Sequence, residues 1–181
     1  MTHENREVSD IDRKYFALLR EDVSNLLRKA GKEYDGENTR VLDIAPQDHE
    51  DANPYFSKAI IETMDINPDS GATYVADLCA SNSELIASNS FDVVICTEVL
   101  EHTLQPFKAV EEIFRMLKRG GVAVVSTPYN FRIHGPLPDC WRFTEHGLRE
   151  LFKEFNIIEL NQLDDPERFL MPIHYTMLAR K

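Results

Sequence analysis

Residues 91–128, FDVVICTEVLEHTLQPFKAVEEIFRMLKRGGVAVVSTP, decide the fold class of this 181-residue chain. Phe91–Thr97 is a continuous apolar run, which is typical of a strand buried on both faces. Gln105–Lys118 has the spacing of an amphipathic helix, and Arg119-Gly120-Gly121 is a helix stop signal. Val122–Thr127 is a second apolar run. A strand, a helix and another buried strand predict a parallel β–α–β unit.

The segments on both sides of this unit continue the alternation. Upstream we predict short strands, and downstream a helix followed by two strands that are too close in sequence for a crossover helix and therefore pair antiparallel. The prediction is an α/β fold with a doubly wound, mostly parallel sheet. The strands are Arg40–Ile44, Ile60–Asp65, Thr73–Ala76, Asn156–Leu163 and Ile173–Arg180, and the helix is Thr144–Phe155 with Thr144 as its N-cap.

An additional helix is predicted at the start of the chain. Ile11–Ala30 has apolar side chains at helical spacing, and Gly31 is expected to cap it. We find no repeat, low-complexity segment or linker. The expected organisation is one domain over 1–181, with an N-terminal helical segment (1–39) and an α/β core (40–181).

Composition and charge restrict the class of function. The chain is 43% hydrophobic and 28% charged, as in soluble globular proteins, and it lacks the roughly 20-residue apolar stretch of a membrane span. The polar first residues resemble no targeting peptide, so we expect a cytoplasmic protein without membrane contact. A net charge of −11 without a Lys/Arg cluster argues against nucleic acid and favours a small-molecule substrate.

Cysteine and histidine spacing gives no sign of a metal site. The three cysteines are scattered, and we interpret Cys96 as a small core residue. His3, His146 and His174 share no metal-ligand spacing, so no metal is predicted.

Three aspartates follow the first three predicted strands. Asp65 lies a little over 20 residues beyond the first strand end, where a carboxylate can accept both ribose hydroxyls of an adenosine. Asp77 can accept from the adenine amino group, and Asp43 ends the first strand. Together they predict a nucleoside site.

The first turn, Ala45-Pro46-Gln47-Asp48-His49, contains no glycine. A dinucleotide needs free N–H groups for its pyrophosphate, whereas Pro46 has none and the turn region carries Asp48, Glu50 and Asp51. S-adenosylmethionine has no phosphate, and its sulfonium and ammonium are attracted by carboxylates. The residues therefore favour this cofactor over a dinucleotide.

The chain resembles the class I S-adenosylmethionine-dependent methyltransferases, especially the compact group that acts on small molecules. The resemblance covers roughly Arg40 to the C-terminus, and 91–128 is its most specific part. The family fold implies a seven-stranded sheet with a reversed last strand. The other matching stretches are VLDIA (41–45), ETMDINP (62–68), YVADLC (74–79) and DCWRFTEHGLRELF (139–152).

The resemblance also implies cofactor-binding positions. Asp43 and Ala45 would lie beside the methionine part, and Gln47 or Asp48 can bond its amino or carboxylate group in place of the missing backbone donors. Asp65 would hold the ribose, Ile66 and Leu78 would contact the adenine, and Asp77 would lie at its edge. Thr97 and Glu98 would line the floor near the sulfonium. The family usually has glycines where this chain has Ala45, Gln47 and His49.

Methyl transfer to a hydroxyl requires an aligned acceptor and a base. The candidate bases are His102 and His134. The alternative for His102 is helix capping or a hydrogen bond to Glu98, and the alternative for His134 is an exposed loop histidine. For the acceptor the candidates are Asp139, Trp141 and Arg142, which can equally serve as a core plug and an ion pair. Glu101, Glu111 and Glu112 are interpreted as a solvated helix face.

Three hypotheses for the function are compatible with the sequence. The first is a methyltransferase acting on an oxygen or nitrogen atom of a small metabolite or sugar-like acceptor. The second is a non-enzymatic binding module of the same fold, suggested by the glycine-free turn. The third, a nicotinamide oxidoreductase, is disfavoured by the acidic turn. The substrate pocket is either open or completed by a second subunit in a homodimer.

Overall fold

The computed structural model describes residues 8–46 and 52–181. The elements, in chain order, are α1 (Asp10–Tyr34), β1 (Arg40–Ile44), β2 (Ile60–Asp65), β3 (Tyr74–Val75), β4 (Phe91–Thr97), α2 (Pro106–Met116), β5 (Leu117–Pro128), α3 (Glu145–Leu151), β6 (Asn156–Leu163) and β7 (His174–Arg180). A single 3₁₀ turn, Leu100–His102, follows β4.

The seven strands form one sheet in the order β3-β2-β1-β4-β5-β7-β6. Neighbours from β3 to β5 are parallel, and β7 is antiparallel to both β5 and β6. The predicted fold class, with its reversed last strand, is confirmed. The direction of winding changes between β1 and β4, which is where open α/β sheets bind ligands.

Alternate side chains of the central strands pack on opposite faces of the sheet. Val93 and Ile95 of β4 belong to a core cluster with Leu26 and Leu27 of α1. Val94 and Cys96 face the other way and join the cluster that includes α2 and α3. The burial of Cys96 confirms its interpretation as a core residue. In the described part of the chain, no helix combines the length and the apolar composition needed to cross a membrane.

The predicted glycine stop signals are wrong at two places. Gly31 lies inside α1, which continues to Tyr34. Gly120 lies within β5 at φ 80°, and its N–H donates to the Lys181 carbonyl at 3.0 Å. Helix α2 already ends at Met116, because Leu117 pairs with Phe91 and starts the strand.

The third helix is shorter than predicted. Thr144 is its N-cap as expected, since its Oγ1 accepts from the Gly147 N–H at 3.2 Å. The helix ends at Leu151 because the chain then turns, with the Phe155 N–H bonded to the Phe152 carbonyl. That turn buries both phenylalanines in the core.

Close packing explains the glycine inside α1. A Cβ on Gly31 would lie 2.1 Å from the carbonyl oxygen of Tyr55, far below van der Waals contact. The helix can approach this loop only where no side chain intervenes. At Gly147 in α3 the nearest atom would be the Thr144 Oγ1 at 3.6 Å, an ordinary contact.

We therefore expect Gly31→Ala to lower the free energy of unfolding by about 1–3 kcal/mol, because the added methyl overpacks the α1–loop contact. The control, Gly147→Ala, should be neutral or raise it by up to about 1 kcal/mol, as helix propensity alone requires. Urea denaturation of both variants measures the difference. Equal effects of the two substitutions would contradict the packing explanation.

Candidate active site

A cavity of about 280 Å³ lies at the carboxyl ends of β2 and β3, and we call it the β2–β3 cavity. Four residues predicted to bind adenosine line it together: Asp65, Ile66, Asp77 and Leu78. The parallel strands place the ends of β2 and β3 side by side, so residues that are separate in sequence share one crevice.

The two aspartate side chains of this cavity each accept a hydrogen bond from the backbone two residues further along the chain. Asp65 Oδ1 accepts from the Asn67 N–H at 2.7 Å, and Asp77 Oδ1 accepts from the Cys79 N–H at 2.8 Å. Each bond closes a turn immediately after its strand. Within residues 8–46 and 52–181, Oδ2 of Asp65 has no hydrogen bond, which leaves it available to a ligand. The Asp77 carboxylate also contacts the Cys79 thiol.

A second cavity, of about 180 Å³, lies under the first helix, and we call it the α1 cavity. Phe16, Leu19 and Val23 of α1 form one wall. The predicted residues Asp43, Thr97 and His134 also line it.

The two cavities have a common wall. Ile44, Ala45, Glu98 and His102 line both of them. A molecule that occupied the β2–β3 cavity would therefore meet one in the α1 cavity beside Glu98 and His102.

The turn after β1 adopts a glycine-type backbone without a glycine. Ala45 has φ 51°, in the left-handed region, and its N–H donates to the Met64 carbonyl at 2.7 Å. Asp43 is buried, and its Oδ2 accepts from the Ala52 N–H at 2.9 Å across the turn. Gln47, predicted to bind cofactor, lies outside the described residues, as do Asp48 and His49.

Glu98 lies in the common wall with a strained backbone, and two hydrogen bonds hold its side chain. Its φ is 55°, unusual for a residue with a side chain. Its Oε1 accepts from the Ser126 Oγ and from the His174 Nε2, both at 2.8 Å. The His174 Nδ1 lies 2.7 Å from the Asp22 Oδ2, so one fully buried imidazole joins α1, β4 and β7.

His174 is a cation in this arrangement. Burial alone lowers its pKa, but the carboxylates of Glu98 and Asp22 outweigh that effect and raise the pKa of His174 to about 9. Sequence reasoning missed both His174 and Asp22, which are 152 positions apart and have no local signal that relates them.

The structure brings the two predicted bases together. The rings of His102 and His134 make an edge contact at 4.9 Å between centroids. Burial lowers the pKa of His134, with the neighbouring His102 as a second cause, so His134 is neutral at pH 7. Both imidazoles lie beside Glu101.

The prediction of a solvated glutamate face is wrong for two of its three members. Glu101 is fully buried, and Glu112 is 6% exposed. Glu112 is paired with Arg115 at 2.8 Å, whereas only Glu111 is exposed. Burial raises the pKa of Glu101 well above its usual range, and the charge of Glu98 adds to the shift.

The three predicted acceptor residues are engaged with their own segment. Arg142 binds Asp139 through two hydrogen bonds of 2.5 and 2.8 Å, and the pKa of Asp139 falls to about 2 as Arg142 and the His134 N–H outweigh burial. Trp141 Nε1 donates to the Thr103 carbonyl at 2.7 Å. None of the three lines either cavity, and their contact with an acceptor stays a prediction.

The buried imidazolium has a pH signature. Since the pKa of His174 is raised in the folded state, its stabilisation is complete below the unfolded value of about 6.5 and is lost as the pH rises through about 9. The shift corresponds to about 3 kcal/mol. We expect His174→Gln to be most destabilised relative to wild type at pH 6, with the gap narrowing by about this amount by pH 9.5.

Urea unfolding at several pH values measures that gap. His146→Gln, an exposed histidine of α3, is the control and should show a small difference that is independent of pH. A gap for His174→Gln that stays constant between pH 6 and 9.5 would show that His174 is not charged.

Comparison with known proteins places the chain in a family. A family model described as a methyltransferase domain matches residues 11–162. A ubiquinone biosynthesis O-methyltransferase from Psychrobacter cryohalolentis is 31% identical over 104 residues, which cover 52% of this chain and 40% of that protein. A thiol S-methyltransferase from Homo sapiens is 28% identical over 137 residues, covering 66% and 55% respectively.

A solved structure shares the fold. The 1,6-didemethyltoxoflavin-N1-methyltransferase of Burkholderia thailandensis, with bound 1,6-didemethyltoxoflavin and S-adenosylhomocysteine, has a TM-score of 0.62 and 17% identity. The structural match covers 98% of this chain and 93% of the Burkholderia chain. The chain spans about half the length of the curated relatives it matches. Because the family model covers most of the sequence, this chain belongs to the methyltransferase domain family.

Proposed function

We propose that this protein is an S-adenosylmethionine-dependent methyltransferase that methylates an oxygen or nitrogen atom of a small metabolite or sugar-like acceptor. One observation carries the proposal: a cavity with two aspartates suited to adenosine shares a wall with a second cavity that contains a neutral imidazole.

The β2–β3 cavity suits an adenosine. Asp65 presents a carboxylate oxygen to the ribose hydroxyls, and Asp77 presents one to the adenine amino group. Ile66 is 68% exposed at the cavity, and an adenine ring packed on it would cover this apolar surface.

Charge in the common wall favours a cationic cofactor. Asp22, His174 and Glu98 together carry two negative charges and one positive charge, so one negative charge remains beside the point where the cavities meet. A sulfonium is attracted there. A pyrophosphate about 4 Å away would be repelled by about 4 kcal/mol per charge at an effective dielectric constant of 20.

The α1 cavity suits a small acceptor. Its volume of about 180 Å³ is below the roughly 300–1,000 Å³ of pockets for drug-sized ligands. His134 is neutral at pH 7 and lines this cavity, so it can take a proton from a hydroxyl or an ammonium group. The net charge of −11 supports a small molecule rather than a nucleic acid as the acceptor.

The similar proteins do not identify which atom of the acceptor is methylated. Their names include O-, S- and N-methyltransferases. A thiol therefore belongs beside hydroxyl and amine compounds in any screen for the acceptor.

We expect the wild-type chain to bind S-adenosylhomocysteine, and Asp65→Ala to weaken the Kd by about 10- to 100-fold. Loss of a hydrogen bond to a charged group costs about 1.5–3 kcal/mol. Asp69→Ala, in the exposed turn four residues later, is the control and should bind as wild type does. Isothermal titration calorimetry gives the three constants.

Two outcomes would contradict the proposal. Absence of both binding heat and thermal stabilisation at millimolar S-adenosylhomocysteine would favour the non-enzymatic binding module. Unchanged affinity of Asp65→Ala would remove Asp65 from the ribose site.

A further inference from the structure

We propose that Glu101, His102 and His134 bind a divalent transition-metal ion at the wall of the α1 cavity. Glu101 and His102 belong to the 3₁₀ turn after β4, and His134 lies in the segment that follows β5. One ligand atom of each residue lies within 4.8 Å of the other two.

The buried carboxylate is the first line of support. Glu101 is completely buried, and neither of its oxygens has a hydrogen-bond partner among residues 8–46 and 52–181. Burying a charged group without compensation costs several kcal/mol. Such a group in a native structure either takes up a proton or has a positive partner. Among the described residues, no acceptor lies within hydrogen-bond distance of a proton on Glu101.

The tautomers of both histidines are the second observation that supports a metal site. The His102 Nδ1 lies 3.0 Å from the Pro138 carbonyl oxygen, which can only accept, so Nδ1 carries the proton. The His134 Nδ1 faces the Asp139 Oδ2 at 3.2 Å and the Arg132 carbonyl oxygen at 3.3 Å, again two acceptors. In each neutral ring the Nε2 atom therefore presents a lone pair.

Those lone pairs point at the carboxylate. The His102 Nε2 and the His134 Nε2 lie 3.7 and 3.8 Å from the same Glu101 Oε1. Three acceptor atoms thus converge, and in the described part of the chain no donor lies between them. Protonation of the imidazoles would not give Glu101 a hydrogen bond, because both distances exceed the 2.7–3.2 Å of an N–H···O bond.

The separations match a shared metal ion better than a shared proton. Two ligand atoms that are each about 2.1 Å from one ion lie about 3.4 Å apart at the tetrahedral angle and about 3.6 Å apart at 120°. Histidines bound to metals commonly donate their other N–H to a carbonyl or carboxylate, which is the role of Pro138 and Asp139 here.

The donor set indicates the class of ion. Two imidazole nitrogens and one carboxylate suit Zn²⁺ and neighbouring transition metals, whereas Mg²⁺ and Ca²⁺ prefer oxygen ligands. Three protein ligands leave a coordination position open. His134 lines the α1 cavity and His102 lines both cavities, so the open position would face the place proposed for the acceptor.

The role of the ion rests on the proposed function. When the ion is bound, the His134 Nε2 lone pair is a metal ligand, so His134 is no longer the base. The ion would instead lower the pKa of a coordinated hydroxyl, which would lose its proton to water. The resulting oxygen attacks the sulfonium methyl, a C–O bond forms, and the C–S bond breaks with its electron pair going to the leaving thioether. Tertiary structure creates this arrangement, which histidine spacing along the chain did not predict.

The test is a titration of the full chain, stripped with a chelator, with Zn²⁺, Mn²⁺ and Co²⁺ separately, without S-adenosylhomocysteine. We expect one ion per chain with micromolar or tighter affinity for at least one of the metals, and a higher Tm when it is bound. Glu101→Gln keeps the size of the side chain and should weaken binding at least 10-fold. Glu111→Gln, exposed on α2, should bind as wild type does.

His134→Gln provides an independent variant at a partly exposed ligand, and circular dichroism checks that each variant is folded. Loss of metal binding in both His134→Gln and Glu101→Gln would support the site. Absence of heat and of a Tm shift at millimolar metal would overturn it, and so would unchanged affinity in both variants. Calorimetry with S-adenosylhomocysteine on the metal-free protein tests the proposed cofactor separately.

Discussion

The architecture of this protein depends on one buried ionic contact, the His174 imidazolium between Asp22 and Glu98. It joins the first helix, the end of β4 and the start of β7 at the point where the sheet changes its direction of winding. Glu98 holds a left-handed backbone there, a conformation that costs about 1–3 kcal/mol and persists only when the surroundings enforce it. Its hydrogen bonds to Ser126 and His174 are that enforcement.

This contact also explains how two cavities become one site. Glu98 lines both, and the ion pair fixes it between the crevice of Asp65 and Asp77 and the space beneath α1. Because Asp22 lies on α1, the helix that covers the proposed acceptor cavity is tied to the strand end that would face the cofactor. The acidic character that disfavours a dinucleotide thus has a structural as well as an electrostatic role.

Local signals in the sequence failed where distant segments pack together. Gly31 has the pattern of a helix cap, but the chain needs it inside α1 because the Tyr55 carbonyl leaves no room for a Cβ. Glu101 follows a strand among other acids, and the sequence therefore predicts that it is exposed to solvent. In the structure it is buried beneath the segment after β5. The amides of Cys140 and Trp141, both in that segment, donate to the Glu101 carbonyl at 2.7 and 3.2 Å. Both contacts join residues that are more than 20 positions apart along the chain, so no local pattern indicates them.

The sequence by itself determined the order of strands and helices, the reversed ending of the sheet and the position of Asp65 and Asp77 at neighbouring strand ends. Apolar periodicity is local, and parallel pairing then brings strand ends together by geometry alone. Only the tertiary structure decided that His174 is charged, that Glu101 is buried and that His102 meets His134. Those states depend on side chains separated by tens of residues, whose desolvation and mutual charge exist only after the chain has folded.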